Sequence, residues 1–300
     1  MKTTLTLIVL ALVCSGCKTV APMLNDAVRN MSVSDVQNAA AKAQKISEGQ
    51  REFTQLEEVA LGSGIASNML GAANLWSDKK AQRYVNQVGL VLAAHSERAD
   101  LNWHFAVLDD MEFNAFAAPG GYIFITRGLL QSLRSEAELA GVLAHEIAHV
   151  VRKHHLMAIK KASNRELLGE AVNAGTAMAV RNNKYSGALT PALAKLASVG
   201  TEMYARGLDK DDEFEADRMA VVLTARAGYD PYGLPAVLQS LQTVDPNYAG
   251  LALMFKTHPS FQARLDLLAK VMTSDFDKFE KNQTLEGRFK AQVAAPKAGK

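Results

Sequence analysis

A chain of 300 residues has room for one large domain with extensions, or for two small ones. Its formal charge of +2, with no dense basic run, removes the electrostatic basis for nucleic-acid binding. A hydrophobic fraction of 48% suits a globular, mainly helical protein of α+β class.

The N-terminus reads as a targeting segment over residues 1–16. Lys2 precedes an apolar run, Leu5 to Val13, too short to cross a bilayer as a helix but suited to the core of a signal peptide. Cys14-Ser15-Gly16-Cys17 follows. The stretch resembles a bacterial lipoprotein signal, which implies cleavage before Cys17 and lipidation of that cysteine. Cys14 stands where such signals usually carry Leu, and an ordinary signal peptide or short membrane anchor is the alternative. By the sorting pattern of such lipoproteins, Lys18 rather than Asp after Cys17 favours the outer membrane. Both cysteines lie in this segment, so the mature domain has no thiol for a disulfide or a metal. Any metal site must use His, Asp and Glu.

Residues 17–50 are polar and Ala-rich, a tether with a lead-in helix around Ser34–Lys45. One domain is expected over 51–280. Residues 51–70 read as a helix broken or kinked at Gly62 and Gly64. Residues 79–98 carry Tyr84, Val88, Val91 and Leu92 at helical spacing, with His95 in the last turn. The period then changes. Trp103–Leu108 is strand-like, with His104 a structural residue, and Asp109-Asp110 marks a turn. Asn114–Gly121 leads into Tyr122–Thr126, an aromatic and β-branched strand opened by Pro119-Gly120-Gly121.

Ser135–His155 reads as one uninterrupted helix. Ser135 and Glu138 have the spacing of a capping box. Leu139, Val142, Leu143, Ile147, Val150 and Val151 cover most of its circumference, so its middle is buried. Within it lie His145, Glu146 and His149, in the order H-E-x-x-H. Histidines four apart stand one above the other and can converge on one zinc ion, and Glu146 can serve a metal-bound water as general base. Two such histidines also occur in ordinary helices. Buried without partners, however, these groups would cost several kcal/mol, so the site needs a third ligand from elsewhere.

Residues 156–205 read as a small-residue-rich helical pair with a soft spot at Arg181–Gly187 and no residue assigned to chemistry. Asp230-Pro231 and Leu234-Pro235 mark helix edges, with Pro235 in a first turn. A helix follows over 260–282. The tail, 281–300, is polar with no core signal.

The third ligand is sought in Asp211-Asp212-Glu213-Phe214-Glu215-Ala216-Asp217. Glu213 and Asp217 share a helix face, and Glu215 points the other way. Glu213 suits the ligand role, and Asp217 suits a hydrogen bond to a ligand histidine's other ring nitrogen. A solvated acidic patch is the plainer reading of that run alone. His155 is rejected as a ligand: along a continuous helix it lies about 15 Å from His145. His154 and His155 then read as C-terminal helix cations.

H145-E-x-x-H149, then Glu213-Phe214-Glu215-Ala216-Asp217, then Thr257-His258-Pro259 with Arg264, resemble zinc metallopeptidase family forty-eight, the family of CAAX prenyl endopeptidases and Oma-type proteases. Asn114–Gly121 fits as well, and the likeness covers roughly residues 50–275. It implies a mainly helical zincin-like domain with a small β-sheet beside the H-E-x-x-H helix. It implies one zinc per chain on His145, His149 and Glu213, with Glu146 as base. His258 then sits near the open metal position, where it either stabilises an oxyanion or ligates zinc and holds the enzyme shut. Arg264 anchors that loop. Tyr122–Thr126 is expected at a sheet edge, with Asn114, Tyr122 and Phe124 as substrate-strand candidates. The prenyl endopeptidases span the membrane many times; after its signal this sequence has no such span. It is similar to the bacterial envelope branch of the family. That implies a lipid-anchored periplasmic endopeptidase for unfolded or misfolded outer-membrane polypeptides, working near the outer-membrane assembly machinery. A chaperone-like binding factor with little or regulated proteolysis is the alternative.

Overall fold

The computed structural model describes residues 52–163, 191–204, 206–245, 248–279 and 282–293. Cys17, the tether, the helix expected at 34–45 and the Arg181–Gly187 stretch lie outside the described residues. Among the described residues no helix is long and apolar enough to cross a membrane.

Helix α1 (Gln55–Ala72) starts at a complete capping box between Thr54 and Glu57. It runs unbroken past Gly62 and Gly64, contrary to expectation. Gly62 serves a close approach instead, since a Cβ there would lie 1.7 Å from the Pro119 carbonyl oxygen. Helix α2 (Lys79–Ala94) is capped by the Asp78 carboxylate and ends at His95, as expected. Its inner face is Ala81, Tyr84, Val85, Val88 and Leu92; Val91 is on the outside.

Three short strands follow: β1 (His104–Leu108), β2 (Ala115–Ala118) and β3 (Tyr122–Thr126). Their order is β1-β3-β2, with β1 parallel and β2 antiparallel to β3. β3 is therefore the central strand, paired on both sides, and the edge expected for Tyr122 and Phe124 belongs to β2. Gly120 and Gly121 turn the chain between β2 and β3 at φ of 78° and 100°, a region open to glycine.

Helix α3 (Arg127–Ser132) leads to α4 (Glu136–Val151), in which every residue from Glu136 to Val150 is buried. Ser135 accepts from the Glu138 N–H, but the Glu138 carboxylate reaches one residue further back, to the Arg134 N–H at 2.6 Å. α4 is not continuous to His155. Arg152 closes it, Lys153 takes a left-handed φ of 59°, and a new helix, α5 (His154–Ala162), sets off. Helix α6 (Pro191–Tyr204) packs on α1 and α5. α7 (Lys210–Arg226) and α8 (Gly233–Gln242) pack along α4, with Pro235 in the first turn of α8. A short α9 (Ala252–Thr257) and α10 (Phe261–Val271) come next.

The polar segment over 282–293 belongs to the fold. Its helix α11 (Glu286–Gln292) packs on α2 and α4, and Phe289 and Val293 are buried in the main core. Its apolar residues Leu285, Phe289 and Val293 recur four apart, but over too short a run within polar sequence, which is why the sequence reading missed it.

Candidate metal centre and active site

α4 supplies His145 and His149 on one face, and α7, lying along it, supplies Glu213. All three are buried, and one nitrogen or oxygen from each lies within 4.8 Å of the others. The His145 and His149 Nε2 atoms are 3.1 Å apart. Glu213 Oε2 is 3.6 Å from the first and Glu213 Oε1 3.5 Å from the second. Ligands in a tetrahedron around a metal at about 2.0–2.1 Å stand about 3.4 Å apart, so this set fits one metal ion. The donors agree: Glu213 Oε2 is a buried oxygen with no hydrogen-bond partner, as expected of an atom meant for a cation.

Each ligand histidine is held from behind. His145 Nδ1 is 2.9 Å from Asp217 Oδ1. Asp217 is gripped by Arg264 through two bonds, Nε to Oδ2 at 2.8 Å and an end nitrogen to Oδ1 at 2.6 Å. The two helical positions singled out for this task are thus brought together with Arg264 of α10. His149 Nδ1 is 3.0 Å from Nδ1 of His154. Contrary to expectation, His154 therefore does not close α4 but opens α5; the left-handed turn at Lys153 brings it back under α4, where it is 1% exposed. His155 stacks on Tyr204 and stays outside the ligand set.

The charges follow from burial and neighbours. Burial and Arg264 press His145 toward neutrality, but Asp217 and Glu213 outweigh them and raise its pKa to about 9 without metal. Glu213 resists its own burial through the neighbouring histidines and Arg264, which hold it at about 2. Burial dominates at Glu146 and, with repulsion from Glu213, lifts it to about 7 against the pull of His145. Burial lowers His258 to about 4.

Glu146 lines two cavities that meet at Ala115 and His258. One has Asn114, His155 and Tyr204 in its wall. The other is mostly apolar, lined by Leu129, Val142, Leu234, Val237 and Leu238 among others. Beside them lies the outer edge of β2, which pairs with no other strand and whose residues are buried. The bond from the Thr126 N–H to the Asn114 carbonyl, 2.9 Å, sets the parity of the ladder. Residues 114, 116 and 118 face β3, and the N–H and C=O of Ala115 and Ala117 point outward. The Tyr204 hydroxyl donates to the Ala117 carbonyl at 2.5 Å. No motif marked Tyr204 in the sequence, where residues 156–205 were assigned no chemistry. Phe124 is buried against Phe116, and Tyr122 stacks on His104.

A buried helix bearing H-E-x-x-H, completed by a glutamate from a second helix and flanked by a small sheet, defines a metal-dependent peptidase domain. A model of Peptidase family M48 matches residues 79–272 of the 300, and the chain belongs to that family. It is 28% identical over 211 residues to the beta-barrel assembly-enhancing protease of Escherichia coli, covering 70% of this chain and 42% of that protein. With its Yersinia pestis counterpart the identity is 30%, over the same shares. The mitochondrial metalloendopeptidase OMA1 of Schizosaccharomyces pombe is 32% identical over 61% of this chain and 50% of its own length.

Proposed function

We propose that this chain is a zinc-dependent endopeptidase that hydrolyses unfolded or misassembled polypeptides in the bacterial envelope. The observation that carries the reading is the buried set of His145, His149 and Glu213 with Glu146 beside it. Zinc bound there supplies a Lewis acid for the scissile carbonyl and lowers the pKa of its water. Glu146 takes the water's proton and hands it to the leaving amine, and its burial, which raises its affinity for a proton, favours that exchange. The outward N–H and C=O groups of Ala115 and Ala117 receive an extended peptide as an added strand, with Asn114 at its start. That selects unfolded chain with little sequence demand. The cavity of Leu129, Val142 and Leu238 takes an apolar side chain next to the cleaved bond.

The names of the bacterial relatives and the lipoprotein-like signal support a periplasmic enzyme anchored through Cys17 to the outer membrane, near the assembly machinery there. The test is zinc stoichiometry and cleavage of a casein-like unfolded protein, wild type beside Glu146→Gln. One zinc per chain in both is expected, with cleavage down about 10²–10⁴-fold in the variant. Equal cleavage in both would sink the mechanism.

A second reading, in which binding is frequent and cleavage is regulated, draws on His258. The Thr257 hydroxyl lies 2.8 Å from the Leu253 carbonyl and 2.9 Å from His258 Nδ1; when it gives its one proton to the carbonyl, it accepts from Nδ1. That leaves His258 Nε2 bare, 3.6 Å from Glu213 Oε2. A bare nitrogen suits a ligand and cannot donate to an oxyanion. We therefore favour His258 as the group that shuts the open position. His258→Ala should raise turnover of unfolded substrate; a fall would assign His258 to the chemistry.

A further inference from the structure

We propose that His154 is the positioning residue for His149, passing its orientation and tautomer from Glu215. The inference rests on the metal-site reading above.

α4 ends at Val151, and the left-handed Lys153 swings the chain so that the first residue of α5 lies beneath the second ligand histidine. The two rings stand edge to face, with centroids 5.1 Å apart and planes at 72°. Their Nδ1 atoms are 3.0 Å apart, so one proton is shared between them. The direction of that bond follows from the other nitrogens. His149 Nε2 faces His145 Nε2 and Glu213, and to hold a metal it must offer its lone pair. A neutral ring then carries its proton on Nδ1 and donates. His154 Nδ1 accepts, and its own proton sits on Nε2. That nitrogen is 3.4 Å from Glu215 Oε2 and 3.8 Å from Asp212 Oδ1, both acceptors. Glu215 is in turn fixed by Arg152 Nε at 2.7 Å. Every donor in the series has an acceptor only if the protons run this way.

The arrangement differs from that at His145, where a carboxylate sits directly behind the ring. At His149 an imidazole stands between ligand and carboxylate. Held this way the His149 ring has its rotamer fixed and, once Nε2 faces a metal, its tautomer fixed as well. It also explains the break in the helix. A continuous helix would carry position 154 away from His149, and the strained Lys153 is what returns it.

The test is zinc affinity of the purified chain, by competition with a chromophoric chelator, for wild type, His154→Ala, His154→Asn and Glu215→Gln. His154→Ala should weaken zinc about 10–100-fold, the range for losing a group behind a ligand histidine. In His154→Asn the amide oxygen accepts in place of Nδ1, and affinity should recover most of that loss. Glu215→Gln should weaken binding by less than His154→Ala. The ¹⁵N spectrum of the zinc-loaded wild type should show His149 protonated at Nδ1, with a scalar coupling across the bond to His154. A purely space-filling His154 predicts neither the coupling nor rescue by Asn. Wild-type affinity in a cooperatively melting His154→Ala protein overturns the proposal, as does an unprotonated His149 Nδ1. If His154→Ala does not fold, the Asn variant and the wild-type spectrum decide. Failure of the metal reading shows separately, as a wild type that takes up no zinc, and removes this proposal with it.

Discussion

At the scale of single residues, the metal site is a competition between a proton and a cation for the same nitrogen. Without metal, His145 has its pKa raised from 6.5 to about 9, so at neutral pH it is protonated, with Nδ1 toward Asp217 and Nε2 toward His149 and Glu213. Metal uptake must expel that proton. Zinc titrations in buffers of different ionisation heat should therefore show about one proton released per zinc near pH 7.5, falling to about zero above the raised pKa. Apparent affinity should climb with pH and level off above about 9. A release of zero at pH 7.5 would contradict the raised value. The sign carries over to stability. A histidine raised in the fold stabilises the metal-free protein fully below pH 6.5, and that contribution is lost as pH rises through about 9. The grouping of the candidate ligands was legible in the sequence, because H145-E-x-x-H149 and Glu213-x-x-x-Asp217 are i, i+4 patterns that any helix resolves the same way. His154 was not. Nothing in Arg152-Lys153 announces a left-handed residue, since neither is Gly or Asn.

At the scale of elements, the sequence located strands better than it ordered them. Tyr122–Thr126 is rich in aromatic and β-branched residues because it is central and buried, and that same composition made it look like a substrate-binding edge. The real edge, Ala115–Ala118, is mostly alanine, with little strand propensity of its own. Its pairing comes from the Gly120-Gly121 turn and from Phe116 stacking on Phe124. The edge is also partly covered. Tyr204, the last residue of α6, packs on Phe116 and donates its hydroxyl to the Ala117 carbonyl, an acceptor an added peptide strand would use. Removing that hydroxyl leaves the ring and frees the carbonyl. Tyr204→Phe should lower KM for an unfolded substrate about 2–10-fold, the equivalent of one hydrogen bond, with kcat unchanged. A raised KM would instead make Tyr204 a contact of the bound peptide, and a lower kcat would place it in the chemistry.

At the scale of the whole molecule, α4 is the axis on which the other elements close, and its two ends do different work. One end carries the metal ligands. At the other, the buried Glu136 carboxylate accepts from Tyr84 at 2.5 Å and Tyr229 at 2.8 Å, and pairs with Arg288 of α11. That cluster joins α2, α4, the turn after α7 and α11. Nine residues of helix, about 14 Å, separate it from His145. Phe289, 3% exposed, presses α11 onto this corner and meets Tyr84 with ring centroids 6.3 Å apart. Phe289→Ala should cost about 3–5 kcal/mol, as for a buried phenylalanine elsewhere. In a domain of this size that is a fall in Tm of roughly 6–20 °C. Zinc affinity and kcat well below Tm should stay at wild-type values, because α4 is rigid between its two ends and the ligands are held by α5, α7 and α10. A neutral Phe289→Ala would return the segment after 281 to the solvated tail that its composition suggests. A stable variant with weakened zinc binding would mean that the corner at Glu136 sets the position of α4, and with it the spacing of His145 and His149 from Glu213.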